Sequence, residues 1–546
     1  MLKPDASRPH QICWTFAMAV LLCCLLKRGT LDDLYITFKY ARNLADGFGF
    51  SIWNLTEAPV EGSTSTVWMV LLAWGIWLGI SPYWLSFILA SLSFGGIVCL
   101  FMLAHQLRPS VWPKAFAGAP QGMFGTATVL LLTYVPLAWY GATGMETTFF
   151  ALLLAALLLS PVLAGQRHQT LVQSILVVSL ILTRPEGLLL GPLLCAYFFW
   201  TAEHRQLRHM TPLLSSLLAV ALLTAFRLAY FGDVFPNTYY AKAQGDLPHH
   251  LYWGARNLSR FLAYTAPAWL IICTGLFLTW RARLLSRFER LLIGLVLFYF
   301  AYTLKSGGDP ESAFPLWRHF VHIAPIWLLL AACAIERLTA RTGNKPWLMV
   351  AFIVLTQITL STKYIRSDLI GRPNYQQQDS DTEFFGYIQK VANRDTVAAA
   401  GYAGHWGWLF PGKVIDLWGL NDKHIAHFGT YQHMGELDSR SDMAYVLGRQ
   451  PDLINLEMDP DDINRGSCPT AVRTSGRSKM LRETLANPVF QQSYLFLKNA
   501  PYSTFKRALF VHQKFVPQLM RNAPYHPDLV AVSATGILSA CNEVAR

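Results

Sequence analysis

Asp32-Asp33-Leu34-Tyr35-Ile36-Thr37-Phe38-Lys39-Tyr40-Ala41-Arg42-Asn43 follows closely on the first long apolar segment of the chain. A single charge beside a membrane is ordinary. Two adjacent carboxylates followed by aromatic residues, Lys39 and Arg42 are not. They predict a water-accessible site at the lipid boundary, with groups suited to protons and to phosphate.

Outward from this stretch, the composition is that of a membrane protein. Of 546 residues 53% are hydrophobic and 14% charged, where a soluble chain carries about 25% charged residues. Apolar segments long enough to cross a bilayer, roughly 17 to 25 residues, recur from residue 11 to about residue 363. Beyond that point Gly, Pro, Asn and charged residues return. The expectation is a membrane part over 1–363 and a soluble domain over 364–546, large enough for its own core. The segment Gln11 to Leu26 resembles a signal peptide but lacks a small-residue cleavage pattern and precedes Lys27 and Arg28. It is read as a retained span.

The segment Thr66 to Ile80 is apolar but short, the length of an interfacial helix. Leaving it out gives eleven transmembrane helices, at 11–26, 83–104, 124–139, 147–163, 169–183, 187–201, 211–230, 262–280, 289–304, 317–335 and 346–362. With the N-terminus cytoplasmic, the inner segments hold fourteen Lys and Arg, from Lys3 to Lys345, against four acids. That is the bias of the positive-inside rule, and it places the C-terminal domain outside.

The net charge of +12 does not point to nucleic acid, because no dense basic run occurs. Seven cysteines lie in apolar spans as core residues, and Cys468 and Cys541 stand alone in the tail. An external tail would permit a disulfide between them. No metal-ligand spacing such as C-x-x-C or H-E-x-x-H occurs.

The polar motifs gather on the predicted outer side. They are Val60-Glu61-Gly62, Gly144-Met145-Glu146-Thr147, Thr183-Arg184-Pro185-Glu186-Gly187, Arg227, Pro236-Asn237-Thr238-Tyr239-Tyr240-Ala241-Lys242, Gly307-Gly308-Asp309 and Arg318-His319. Each also fits a plain structural role. Arg184 and Glu186 could pair across a helix break, Glu146 could cap a helix, Arg227 could snorkel, and His319 could be an interfacial packing residue. Their joint placement, with both signs facing one compartment, favours a catalytic cavity. The chemistry suits sugar transfer from a lipid-linked donor. A carboxylate, Asp32 or Asp33, removes the acceptor proton, and Lys39, Arg42, Arg227, Lys242 or Arg318 stabilises the departing phosphate. Tyr35, Glu61, Arg184, Glu186, Asn237, Tyr239, Tyr240, Asp309 and His319 are candidate substrate contacts. Asp32, Asp33 and Glu146 are also candidates to share a divalent cation. No G-x-G-x-x-G or P-loop for a nucleotide sugar is present.

In the tail, Thr396–Ala400, Val414–Leu417 and Asp452–Asn455 read as strands and Phe384–Val391 as helical, predicting a small α/β domain. Gly401-Tyr402-Ala403-Gly404-His405-Trp406-Gly407-Trp408 combines close backbone approach with rings that stack on sugars. His405 and Trp406 are therefore candidate glycan contacts, with a buried aromatic core as the alternative.

These motifs, with Val414-Ile415-Asp416-Leu417-Trp418-Gly419-Leu420-Asn421-Asp422 in the tail, resemble the GT-C superfamily of polyprenyl-phosphate-sugar glycosyltransferases. More narrowly, they resemble the terminal arabinofuranosyltransferases of mycobacterial cell walls. The resemblance runs from residue 31 to about 428. It implies a polytopic α-helical fold with interfacial helices in the first external loop and a periplasmic C-terminal domain, in the bacterial inner membrane. It implies inverting transfer of a single sugar from a polyprenyl-phosphate donor to a cell-envelope glycan, lipid or protein, with Asp32 or Asp33 as base and Glu146 beside donor or acceptor. Ser63-Thr64-Ser65 and Asp309-Pro310-Glu311 depart from the family pattern, so arabinose is not carried over. A transporter or flippase for a lipid-linked sugar is the competing reading.

Overall fold

The computed structural model describes residues 8–27, 30–107, 112–165, 167–202, 206–307, 318–343, 345–364, 374–434, 437–474, 478–501, 507–537 and 540–541. The chain divides into two compact units. The first comprises Met1–Thr30, Thr64–Phe226 and Leu247–Ile370; the second comprises Leu31–Ser63, Arg227–Asp246 and Gly371–Arg546. Two segments read from sequence as outer loops of the membrane part thus group with the tail.

The first unit is helical. Apolar residues on every face give Pro82–Gln106, Thr147–Leu163 and Gly187–Thr201 no polar side, the pattern of helices buried in protein or lipid. Prolines at the first turn open several of them, including Pro82, Pro136, Pro267 and Pro325, where the missing N–H costs nothing. Large apolar side chains such as Trp14, Trp74, Leu270 and Phe352 remain exposed, as a lipid-facing surface requires.

Among the described residues, three helical segments are long and apolar enough to cross a membrane: Pro9–Leu26, Pro82–Gln106 and Leu207–Tyr230. Two bent pairs raise the number to five. The eleven expected spans are therefore not all matched by helices of spanning length. The span expected at 124–139 is broken by 57° between Met123–Thr133 and Val135–Thr143, next to Pro136. The one expected at 262–280 starts inside Leu247–Tyr264 and turns by 85° into Ala266–Arg281. Others are helices of 10–17 residues. Thr66–Trp77, read as too short to span, is a 12-residue helix.

The second unit is built on a sheet. Strands β1 (Val397–Ala400), β2 (Lys413–Asp416), β3 (Thr430–Met434), β4 (Leu437–Ser441), β5 (Leu453–Leu456), β6 (Tyr494–Leu497), β7 (Ala508–His512) and β8 (Leu529–Ala531) follow in chain order. Six of them form one sheet in the order β2-β1-β5-β7-β6-β8, and β3 and β4 pair separately. β1 lies parallel to β2 and β5, whereas β7 is antiparallel to β5 and β6. The three runs read as strands from sequence are β1, β2 and β5. β5 is buried along its whole length, as a central strand covered on both faces should be. Its core includes Ile415, Ile454, Leu456, Leu481, Phe490, Phe496 and Phe510. Cys468 and Cys541 are disulfide-bonded.

The first of the two loop segments, Leu31–Ser63, is fastened to the sheet's β2 edge. Val414 carbonyl oxygen accepts Trp53 Nε1 at 2.9 Å and Asn54 Nδ2 at 3.1 Å, while Val414 N donates to Asn54 Oδ1 at 3.0 Å. Asn54 thereby pairs with an edge residue as another strand would, satisfying groups that would otherwise be left open.

Candidate active site

Asp32 and Asp33 open the helix Asp32–Ala45, where carboxylates complement the positive end of the helix dipole. Against its start lies the short helix Ala403–Leu409. Gly404 permits this approach, because a Cβ there would overlap the carbonyl oxygen of Asp32. Asp32 Oδ1 accepts the backbone N–H of His405 at 2.9 Å and lies 2.5 Å from His405 Nδ1; Oδ2 accepts Gly404 N at 3.2 Å. The Tyr35 ring sits 4.2 Å from the imidazole, centroid to centroid. Further along, the Arg42 guanidinium lies 4.3 Å from the centre of the Trp408 ring.

Residues 32, 35, 39 and 42 fall at i, i+3, i+7 and i+10 and so share one face of the helix. Between Tyr35 and Arg42 on that face is Lys39, 9% exposed. Burial, with Arg42 adding repulsion, pushes its ammonium down to about 8. One stripe thus carries a carboxylate at its start and two cations further along.

The other loop residues pair among themselves. Glu61 and Arg227 form a buried two-pronged ion pair at 2.7 and 2.8 Å. Burial still raises the Glu61 carboxyl above its ordinary range, with Arg227 opposing. Asn237 donates to the carbonyl oxygens of Gly419 and Leu420 at 2.8 and 2.9 Å. Tyr239 packs on Phe235, and Tyr240 stacks on His427. Lys242 ends the helix Asn237–Lys242.

A second charged group is buried in the helical unit. Glu146 accepts a hydrogen bond from Arg184 and lies 3.4 Å from Arg318 Nη2. Arg184 also reaches Glu186 at 3.1 Å, and His322 Nδ1 lies 3.4 Å from Glu186. The Tyr299 hydroxyl completes the chain, 3.3 Å from His322 Nδ1. Helix termini supply the acids: Glu146 precedes Thr147–Leu163 and Glu186 precedes Gly187–Thr201. His319 is buried in the same short helix, Arg318–His322. Asp309 lies outside the described residues.

Trp406 proves to be core. It is 2% exposed and enclosed by Phe384, Phe385 and Phe410, so its ring has no open face for a sugar. This follows from helical spacing, since it is its neighbours His405 and Trp408 that meet the helix Asp32–Ala45. Among the described residues no group of three or more His, Cys, Asp or Glu is arranged to hold a metal ion.

Sequence reasoning missed the part played by the tail motif after β2. Asp416, fully buried, accepts Trp418 N at 3.0 Å and both Asn421 N and Asn421 Nδ2 at 2.9 Å. Asn421 Oδ1 in turn accepts the Tyr40 hydroxyl at 2.9 Å. Burial pushes the Asp416 carboxyl up to about 6 against these hydrogen bonds. A signal was present: an acid at the end of an apolar strand, followed by Gly and Asn, asks for local hydrogen-bond partners.

Residues 368–507 match a family model described as "Domain of unknown function (DUF8728)". Over 268 residues the chain is 28% identical to the terminal beta-(1->2)-arabinofuranosyltransferase of Mycobacterium tuberculosis. The chain resembles a GT-C glycosyltransferase. The match covers 46% of this chain and 41% of that protein, so the chain spans about two fifths of the curated relative's length. The apo oligosaccharyltransferase of Archaeoglobus fulgidus superposes with a TM-score of 0.51 at 12% identity, over 98% of this chain and 78% of that one. A structure described as the archaeal oligosaccharyltransferase AglB from the same organism, with an inhibitory peptide and a dolichol-phosphate, gives 0.49 at 11% identity over the same shares. The 0.51 match supports a common fold.

Proposed function

We propose that the chain is a membrane glycosyltransferase of the GT-C type. It moves one sugar from a polyprenyl-phosphate donor to a cell-envelope glycan, lipid or protein, by inverting single displacement. The observation that carries this reading is the stripe Asp32, Tyr35, Lys39 and Arg42, faced by His405 and Trp408. The carboxylate–imidazole pair at its start, able to handle a proton, and cation density further along are what sugar transfer from a phosphate leaving group requires. Because that leaving group departs as an anion, the site needs cations more than a strong acid. Glu146, held by Arg184 and Arg318, is assigned a second substrate-facing role. The similarity to an arabinofuranosyltransferase supports the class of reaction and leaves the sugar open.

In this reading residues 1–363 are the membrane part and 364–546 a periplasmic domain, in the bacterial inner membrane with the N-terminus cytoplasmic. The Cys468–Cys541 disulfide supports an oxidising compartment for the tail. All eleven spans are retained as part of the proposal, the shorter helices being accommodated by local thinning of the bilayer and by packing within the bundle.

The test uses the full chain in lipid nanodiscs, with a panel of radiolabelled polyprenyl-phosphate sugars and crude envelope glycans as acceptors. Label transfer by the wild type supports the reading. Movement of labelled lipid across the bilayer without transfer would replace it with a flippase.

A further inference from the structure

Asp32 is poorly suited to take the acceptor's proton directly. Its Oδ1 faces two nitrogens of His405 and its Oδ2 one of Gly404, at 2.5 to 3.2 Å. These contacts occupy the oxygen lone pairs that an acceptor hydroxyl would have to reach. Held in this way, it serves a different purpose. An anion opposite Nδ1 selects the imidazole tautomer protonated there, which turns Nε2 into the accepting nitrogen. The same division of labour operates in Ser-His-Asp hydrolases, where the Asp orients and the His moves the proton.

The surroundings hold this geometry from several sides. The backbone N–H of His405 is bonded to the same oxygen that meets its ring, so carboxylate and imidazole cannot shift independently. Tyr35, one helical turn beyond Asp32, covers the ring at 4.2 Å, and the Tyr402 ring lies 6.3 Å from it. The His405 side chain keeps 13% exposure and Asp32 22%.

We propose that His405 is the general base of the transfer reaction and that Asp32 is its positioning residue. This rests on the glycosyltransferase reading above. As the acceptor oxygen bonds to the anomeric carbon, its proton passes to His405 Nε2. The bond from that carbon to the phosphate oxygen breaks, and its electron pair leaves with the polyprenyl phosphate. The imidazolium is stabilised by Asp32 until the proton returns to solvent. No co-reactant is needed.

The experiment compares wild type, His405→Ala, His405→Gln, Asp32→Asn and Asp33→Asn in nanodiscs, using the donor sugar identified by the panel. His405→Ala is expected to lose about 100-fold or more in kcat, within the general-base range, with the donor KM within about twofold. Added imidazole is expected to restore transfer in His405→Ala, which a purely structural role would not allow. His405→Gln keeps a donor for Asp32 and should fold, yet it should be equally inactive. Wild-type-like transfer by His405→Gln overturns the proposal, as does an Asp33→Asn variant that is inactive while His405→Ala is within threefold of wild type. Failure of the wild type to transfer any sugar would instead remove the glycosyltransferase reading itself.

Discussion

Glu61 and Arg227, 166 positions apart in the chain, meet in a buried pair in which each carboxylate oxygen receives one guanidinium N–H, at 2.7 and 2.8 Å. The pair ties the loop after the helix Asp32–Ala45 to the last turn of Thr211–Tyr230. Removing one partner leaves an uncompensated buried charge, which costs about 3–5 kcal/mol. Arg227→Met or Glu61→Ala should each lower the thermal transition in nanodiscs markedly. The double variant Glu61→Leu/Arg227→Met should recover much of the loss, because the apolar replacement leaves neither charge stranded.

Lys39 should behave as a residue that costs stability. Its ammonium is depressed from 10.5 to about 8 by burial. The folded state therefore binds fewer protons than the unfolded state between those values, and stability rises with pH across roughly 8 to 10.5. Below pH 8 the charged form is a burden on the order of 3 kcal/mol. Lys39→Met is expected to raise the melting temperature at pH 7, abolish that pH dependence and reduce sugar transfer. Denaturation followed from pH 7 to 10.5 in both proteins checks it.

Asp416 gives the opposite slope. Its carboxyl is raised from 3.8 to about 6, so the folded state holds a proton that the unfolded state has already released. The stabilisation from this group is full below about pH 3.8 and lost as pH rises through 6. In Asp416→Asn this component should be absent. The difference between the two melting curves across pH 4 to 7 is the measurement.

Gly404→Ala should separate the helix Ala403–Leu409 from Asp32. The added methyl overlaps backbone rather than a movable side chain, and such overpacking costs about 1–3 kcal/mol. Loss of transfer should accompany it, and hydrogen exchange should rise at His405 and Trp406.

Reduction of the Cys468–Cys541 disulfide opens a closure of 73 residues, for which chain entropy alone gives about 4 kcal/mol. Cys468→Ser is expected to lower the tail's melting temperature under oxidising conditions and leave it unchanged under reducing ones.

Much of this architecture was legible in the sequence because it rests on periodicity and composition. The strands β1, β2 and β5 and the short helix Thr66–Trp77 all follow from local patterns. The pairing of Arg184 with Glu186 was also readable, since both stand in one Thr-Arg-Pro-Glu-Gly break. What local pattern could not supply is which distant segments meet. Nothing near Asp32 announces His405, and nothing near Tyr40 announces Asn421. Trp406 and Trp408 look alike in sequence, yet one is enclosed by phenylalanines and the other meets Arg42. That difference comes only from the angle at which a short helix lands. That the expected spans at 124–139 and 262–280 are bent was hidden for a simpler reason: hydropathy averages across a proline, whereas a helix bends there.

The bond between the Tyr40 hydroxyl and Asn421 spans 381 positions, and that between Asp32 and His405 spans 373. At synthesis rates of about 5–20 residues per second, the acidic helix waits roughly 20 to 80 seconds for the segment that grips it. During that interval the ribosome has delivered the early carboxylates but not their partners. If the pair of Asp32 and His405 carries the proposed transfer, a nascent chain stays inert until the late segment has been translated and docked.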